Sequence, residues 1–446
     1  MHKRHIGLAF LVLLATIGSA CTAAEEGGPL PTLTPRPTAR PGGLYVDGAE
    51  TLGLISPFVY GANFGPWSVV PYDLLEEAET SGIQFLRFPG GEWGDRNALK
   101  DYHIDRFMEL IDRMEAEPHI CVRLLDGTPE AAAELVRYAN VEQSYDVTYW
   151  CIGNEPNLFP EGYDIEQYNQ DWRAIAEAMV EVDPDIQFVG PNISQFTGSA
   201  EVDPQDEAGR DWLREFLEAN GDLVDMVAVH RYPFPHGTTA PPATVEELRA
   251  DAETWDQLVR NLRSVVREVT GRDLPVAIGE VNSHWSHAIR GEATPDSFYN
   301  AIWWGDVLGR LIRQRVQMVS YFALQTPPTI GGFGLLATYE VRPTYYVYQI
   351  YQRFGEELLY ASSDDESVSI YAAQRSDGAV TLIVVNLGDQ EEEKTLMWDQ
   401  IEPSGPAEVW RLDEDHLAEQ LDDLSLSDGV QLSLPARSIT LYVIPQ

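Results

Sequence analysis

Thr148-Tyr149-Trp150-Cys151-Ile152-Gly153-Asn154-Glu155-Pro156-Asn157 reads as a short β-favouring run that stops at a glycine and releases an acid into a proline-bearing turn. Past the turn, Ile165 to Val182 carries apolar residues at three- and four-residue spacing, the pattern of an amphipathic helix. A strand that feeds a helix is one βα unit, and the unit recurs along the chain. The β-rich apolar runs number eight: Phe58 to Asn63, Gln84 to Phe88, Ile120 to Leu124, Thr148 to Ile152, Gln187 to Gly190, Met226 to His230, Pro275 to Gly279 and Gln317 to Phe322. Helical spacing also fills Asp105 to Glu115, Val245 to Val269 and Ser297 to Arg313. Eight units in line predict an α/β fold, a closed (β/α)8 TIM barrel of parallel strands.

The segments entering these runs are terse, as in Ser81-Gly82, Glu117-Pro118, Asp183-Pro184-Asp185 and Gly271-Arg272-Asp273. Those leaving them are long and aromatic: Phe64 to Tyr72, Pro89 to Lys100, Arg231 to Pro242, Val281 to Pro295 and Ala323 to Val341. Barrels keep their chemistry at the strand C-terminal ends, so the long side is the working face. After Phe354 the texture changes to short alternating strands, Ser367 to Gln374, Val380 to Asn386, Ala407 to Arg411 and Ser438 to Ile444, with turns at Asp377-Gly378 and Asp428-Gly429. This predicts a C-terminal all-β sandwich. Leu44 to Leu54 alternates in the same way and is expected to pair with it. The catalytic barrel is thus expected over residues 44–355 and the sandwich over 356–446.

The chain begins with Lys3 and Arg4, an apolar run from Ile6 to Ile17, then Gly18-Ser19-Ala20-Cys21. A basic start, an apolar run short of the ~20 residues that cross a bilayer, and small residues before a cysteine form an export signal over residues 1–20. The order resembles a bacterial lipoprotein signal, which implies a lipidated Cys21, a cell-surface or extracellular location and attachment to the membrane through that anchor alone. Gly18 departs from the leucine usual in that pattern. Residues 21–43 are expected to be a tether, because Glu25 to Gly43 is rich in Pro, Thr and Gly and should have no fold. Cys121 and Cys151 show no metal-ligand or redox spacing and read as buried thiols. No metal site or cofactor motif is visible, and His284 and His287 lack a third ligand at usable spacing. With 71 acidic against 30 basic residues the net charge is -41, a field that repels nucleic acids and anionic lipid surfaces.

The seventh run ends Val276-Ala277-Ile278-Gly279-Glu280-Val281-Asn282, so it repeats the fourth: a glycine, then a carboxylate at the barrel mouth. Breaking a glycosidic bond needs a proton donor for the leaving oxygen and a second carboxylate at the anomeric carbon. Carboxylates ~5 to 5.5 Å apart let the second attack directly, which retains configuration. A neighbouring anion raises the pKa of the acid. Glu155 is the expected general acid/base and Glu280 the expected ionised nucleophile.

Ile152-Gly153-Asn154-Glu155-Pro156-Asn157 together with Gly279-Glu280 resembles the clan of retaining barrel glycosidases with acid/base on strand four and nucleophile on strand seven, clan A. Gly153 to Asn157 with Phe159, Leu86-Arg87-Phe88 with Gly90-Gly91, and Gly279-Glu280 with Ser283 look most like its heparanase and β-glucuronidase group. The resemblance implies that Asn154 binds the sugar 2-hydroxyl, that Tyr232 of His230-x-Tyr232 donates to the nucleophile, and that Arg87 lies near the same carboxylate. Two departures stand out. No Lys/Arg cluster suits a sulfated polyanion, and the eighth run ends Ser320-Tyr321-Phe322-Ala323 without the tryptophan many clan members place there. The sugar platform is therefore sought in Trp67, Trp93 or Trp285.

The predicted function is a retaining glycoside hydrolase acting on an oligo- or polysaccharide, β-glucuronidase-like, with a β-xylosidase or α-L-arabinofuranosidase of the same clan as the alternative. A non-catalytic carbohydrate-binding lipoprotein is the alternative from another class. Two open-sheet lobes would mark a transport receptor and the loss of a rim acid a degenerate barrel; the sequence has neither feature. Sugar identity, exo or endo action and oligomeric state are not encoded in any motif.

Overall fold

Helix and strand limits follow local chemistry. The helix Ile165–Val182 starts where the Asp164 side chain accepts the Gln167 N–H, buries Ile165, Tyr168, Trp172, Ile175, Ala176 and Met179 along one stripe, and stops at Asp183 ahead of Pro184. Val245 to Val269, expected as one helix, is two: Val245–Ala252 and Trp255–Thr270. The break follows from Asp251, whose carbonyl takes the Thr254 hydroxyl and whose buried carboxylate takes the indole N–H groups of Trp255 and Trp303. The computed structural model describes residues 38–446 apart from 161, 235–240, 242, 287 and 328–330, so Cys21, most of the tether and His287 lie outside the described residues.

Strand β1 (Gly43–Leu54) precedes the barrel. The barrel strands are β2 (Gly61–Asn63), β3 (Phe85–Phe88), β4 (Glu117–Val122), β5 (Tyr149–Ile152), β6 (Gln187–Ile193), β7 (Met226–Arg231), β8 (Val276–Val281) and β9 (Met318–Tyr321). They pair in chain order, all parallel, and β2 closes on β9 with Gly61 opposite Ser320. Inside the barrel Phe85, Val189, Met226, Ala228, Ala277 and Met318 fill the space below the mouth, while outward residues such as Leu86, Ile120 and Val227 join the helices in the main core. Cys121 and Cys151 are register partners on β4 and β5 and form a disulfide, which corrects the expectation of two buried thiols. Thirty residues apart in sequence, they meet only because parallel neighbours bring them level.

The rest is β10 (Glu357–Ser363), β11 (Val368–Gln374), β12 (Val380–Asn386), β13 (Glu392–Asp399), β14 (Ala407–Leu412), β15 (Leu417–Leu424), β16 (Val430–Leu434) and β17 (Ser438–Ile444). With β1 they make one nine-stranded sheet in the order β15-β14-β17-β12-β11-β10-β1-β13-β16. The sheet folds over itself as a sandwich, so that Leu44, Ile370, Leu396, Val409, Leu432 and Ile444 share one core. β1 runs antiparallel to β10 and parallel to β13. The tether was expected to stay unfolded to Gly43, but its last residues are held: the Ala39 N–H donates to Ser362 Oγ at 3.1 Å, and the Gly42 N–H to Asp364.

Alternation along β11 joins sandwich and barrel. Ile370 and Ala372 face the sandwich core, and Tyr371 and Ala373 face the barrel helices. The helix Phe298–Arg313 fills the seam and is buried nearly all round, as a helix wedged between two layers must be. Its polar groups are answered there: Asp306 Oδ1 accepts from the Tyr371 hydroxyl at 2.6 Å, and Arg310 donates to Asp306 at 2.7 Å and Asp256 at 2.9 Å. Removing one partner from such a buried ionic set costs about 3–5 kcal/mol.

Candidate active site

The chain leaves β5 through Gly153 at φ 75° and Glu155 at φ 48°. Only glycine suits the first position, because φ is positive and a Cβ would stand 2.7 Å from that of Leu124. For Glu155 the left-handed region costs about 1–2 kcal/mol. Backbone amides hold the turn: the Glu155 N–H donates to the Asn192 carbonyl at 2.9 Å and the Asn154 N–H to Asp95 Oδ2 at 2.8 Å. Strain of this kind concentrates where geometry is used.

Glu280 lies within β8 and is buried. A Cβ on the preceding Gly279 would come within 2.3 Å of Asn192 Oδ1 and 3.0 Å of His230 Nε2, so the glycine makes room first for the asparagine and then for the histidine. Three donors reach the carboxylate at 2.7 Å each: Arg87 Nη1 and the Gly91 N–H on Oε1, and the Tyr232 hydroxyl on Oε2. Burial alone would resist ionisation of Glu280. The charges of His230 and Arg87, with the hydrogen bonds from Tyr232 and Gly91, outweigh it and hold the carboxyl below the usual glutamate range. The Tyr232 phenol is pushed well above its usual value by burial and by the charges of Glu280 and Glu155, so it stays a donor.

Arg87 is fully buried and spreads its guanidinium over Glu280, Asn63 Oδ1 at 3.1 Å and Asn154 Oδ1 at 2.9 Å. Its register partner on β4, His119, is kept neutral by burial and then by the charge of Arg87. Glu155 is the more open acid, its side chain 20% exposed, and it meets His230 Nδ1 at 3.1 Å. The same nitrogen is 3.8 Å from Glu280 Oε2. One oxygen of each glutamate and a ring nitrogen of His230 all lie within 4.8 Å of one another.

Such a triad could also face a cation, but the Arg87 guanidinium already occupies Glu280 and would repel one. A second close group, His119, Cys121 and Cys151, has its two sulfurs bonded to each other. His284 is buried against Phe234 and Ser283.

Of the residues singled out in the sequence, Arg87, Asn154, Glu155, His230, Tyr232 and Glu280 form this one cluster. Trp93 instead lies edge-on to His103 at 5.3 Å, and Trp285 is 54% exposed in the loop after β8. Trp67 stacks on Phe322 at 6.1 Å, and Phe322 lies edge-on to Tyr232 at 6.5 Å. The aromatic beside the Glu280 cradle is therefore Phe322, at the very strand end that lacks a tryptophan. Asn63, the Gly91 amide and Asp95 were also passed over. Asn63 ends the first barrel run, a position that itself marks the rim, whereas a backbone amide and an aspartate between strands leave no signal in one sequence.

The solved α-L-arabinofuranosidase from Thermotoga maritima superposes with a TM-score of 0.73 over 91% of this chain and 100% of that one at 16% identity, a likeness of fold. Among curated sequences the chain is similar to the intracellular exo-α-(1→5)-L-arabinofuranosidase of Streptomyces lividans, 23% identical over 45% of this chain and 35% of that protein. It is also similar to the heparanase of Mus musculus, 24% identical over 68% of this chain and 60% of that protein. The chain thus spans about a third and three fifths of the length of these two relatives. Residues 365–438 match the immunoglobulin-like C-terminal domain of D-apionate lactonase, in keeping with the sandwich. The sequence model of glycosyl hydrolases family 39 matches residues 130–388, more than half of the chain and both rim glutamates, and the chain belongs to that family.

Proposed function

We propose that this protein is a retaining glycoside hydrolase working by double displacement on an oligo- or polysaccharide. One observation carries the reading: an oxygen of Glu155 and an oxygen of Glu280 lie within 4.8 Å across one rim. Retaining enzymes hold their carboxyl groups about 5–5.5 Å apart, whereas inverting ones need about 6.5–9.5 Å to admit water between them. In the first step the Glu280 carboxylate attacks the anomeric carbon as the glycosidic C–O bond breaks, and the Glu155 proton passes to the leaving oxygen. In the second, Glu155 takes a proton from water, the water oxygen attacks the same carbon, and Glu280 departs. Arg87, Gly91 and Tyr232 keep Glu280 ionised between turnovers. Asn154 turns its Oδ1 to Arg87, which makes Nδ2 the edge that can donate to a sugar 2-hydroxyl.

The sugar is set by groups around the ring. A glucuronide is the first candidate on the motif resemblance, and xylosides and arabinofuranosides follow. Heparan sulfate fits poorly, since the net charge is -41 and Arg87 is committed to Glu280. The test is hydrolysis of aryl glucuronide, xyloside, glucoside and arabinofuranoside, with the product anomer followed by NMR. The first anomer formed should keep the configuration of the substrate; initial inversion would overturn the mechanism, and binding without turnover would leave a carbohydrate-binding lipoprotein.

The reading includes export and attachment through a lipid on Cys21. The N-terminal sequence supports it, and so does the Cys121–Cys151 disulfide, a bond that persists in oxidising compartments. Labelled palmitate should enter the wild-type protein and not Cys21→Ser; equal labelling would refute the anchor.

A further inference from the structure

Asp95 stands on the single helical turn Trp93–Arg96, in the rim segment between β3 and the helix Asp101–Met114, yet only 3% of it is exposed. Among the described residues no cationic side chain is hydrogen-bonded to it, and Arg123 acts on it through its charge alone. Its Oδ1 accepts the N–H groups of Leu124 and Leu125, at 2.8 and 3.2 Å, and its Oδ2 accepts that of Asn154 at 2.8 Å. The three donors belong to the segments leaving β4 and β5, so one carboxylate gathers three successive strand ends. Asn154 lies between the positive-φ residues Gly153 and Glu155. Four residues before Asp95, the Gly91 N–H holds Glu280. Burial pushes the carboxyl of Asp95 up to about 6 against these amide donors, so the protein keeps an expensive group here.

We propose that Asp95 is a positioning residue: its carboxylate pins the Asn154 amide and thereby aims the left-handed turn that presents Glu155 to the leaving oxygen. The proposal rests on the glycosidase reading. An unpinned turn would relax toward ordinary backbone, swinging Glu155 away while leaving Glu280 in its own cradle on β8. Asp95 would then serve one half of the reaction, protonation, and not the other.

The test compares wild type, Glu155→Ala, Asp95→Asn and Asp95→Glu on aryl glycosides of graded leaving-group pKa, with thermal melting run in parallel. Asparagine loses one acceptor oxygen, and glutamate keeps both but lengthens the arm by a methylene. Both variants should lose about 10- to 100-fold on poor leaving groups and under about 3-fold on the most activated, steepening the dependence toward that of Glu155→Ala. A merely structural aspartate would lower all rates by one factor, and a wild-type slope in either folded variant would overturn the proposal. Hydrogen exchange of wild-type residues 153–157 needs no variant: the Asn154 amide should be strongly protected, and exchange at unfolded rates would sink the clasp. Were wild type inactive on every glycoside, or Glu155→Ala indifferent to leaving group, the glycosidase reading would fail instead, whatever the exchange experiment gave.

Discussion

The two glutamates face one another but live differently. Glu280 is buried on a strand, with three donors at 2.7 Å fixing both oxygens. Glu155 sits on a turn, partly exposed, with His230 Nδ1 at 3.1 Å from its carboxylate. A nucleophile must be one species, an anion in one place, and a cradle of donors on a rigid strand provides that. An acid/base must lose a proton and regain it in each cycle, and a cradle of donors would trap it in one state. The asymmetry of the surroundings thus matches the division of labour proposed for the two acids.

Deleting each acid should break the comparison most visibly. Glu280→Ala is expected to remove turnover, by at least about 10⁴-fold, on every leaving group, and azide should restore part of it by occupying the vacated face. Glu155→Ala is expected to lose about 10²- to 10⁴-fold on poor leaving groups and far less on activated ones, which depart without a proton. Rates across a leaving-group series decide it: parallel losses in both variants would erase the division of labour.

A smaller effect sharpens the same contrast. Tyr232→Phe removes one donor from Glu280 and none from Glu155, so turnover at neutral pH should fall about 10- to 100-fold, the worth of one charge-assisted hydrogen bond. In wild type the pKa of Glu280 is held down, so the ionised form survives to acid below the usual glutamate range and activity is lost as pH falls through the lowered value. Stability follows the same sign: the contribution of Glu280 is present above its unfolded pKa and disappears as pH drops through the folded one. Losing the phenol raises that pKa, so the acidic limb of kcat/KM should move to higher pH. An unmoved limb would show that Tyr232 does not hold the anion.

How far the sequence reached follows the range of the interactions involved. The barrel strands announce themselves because each is a local apolar run cut off by turn residues, and Ile165–Val182 shows its stripe and its stop at Asp183-Pro184. The acids were legible because Gly-Asn-Glu and Gly-Glu follow such runs directly. Less visible were features made by level neighbours: Cys121 meets Cys151 only after β4 and β5 pair. Asp95 looks like any loop aspartate until the amides of Leu124, Leu125 and Asn154 converge on it. The helix break before Trp255 arose at Asp251, whose buried carboxylate takes two indoles and whose carbonyl takes a hydroxyl, which periodicity cannot show.

The mildest test lies outside both acid environments. Trp285 and Ile289 stand 54% and 48% exposed after β8, and Tyr339 stands 85% exposed after β9, all on segments leaving barrel strands. Exposed aromatics on such rim segments can carry sugar units beyond the cleaved bond by covering their apolar faces, at about 25 cal/mol for each Å² removed from water. Trp285→Ala should therefore raise KM for an oligosaccharide by about 2- to 10-fold while leaving an aryl monoglycoside within about 2-fold, because the small substrate never reaches the ring. Steady-state kinetics on the two substrates separate the outcomes. Equal KM values for wild type and variant on the long substrate would take Trp285 off the substrate path, and would leave the Trp67–Phe322 stack beside Tyr232 as the aromatic surface that meets sugar.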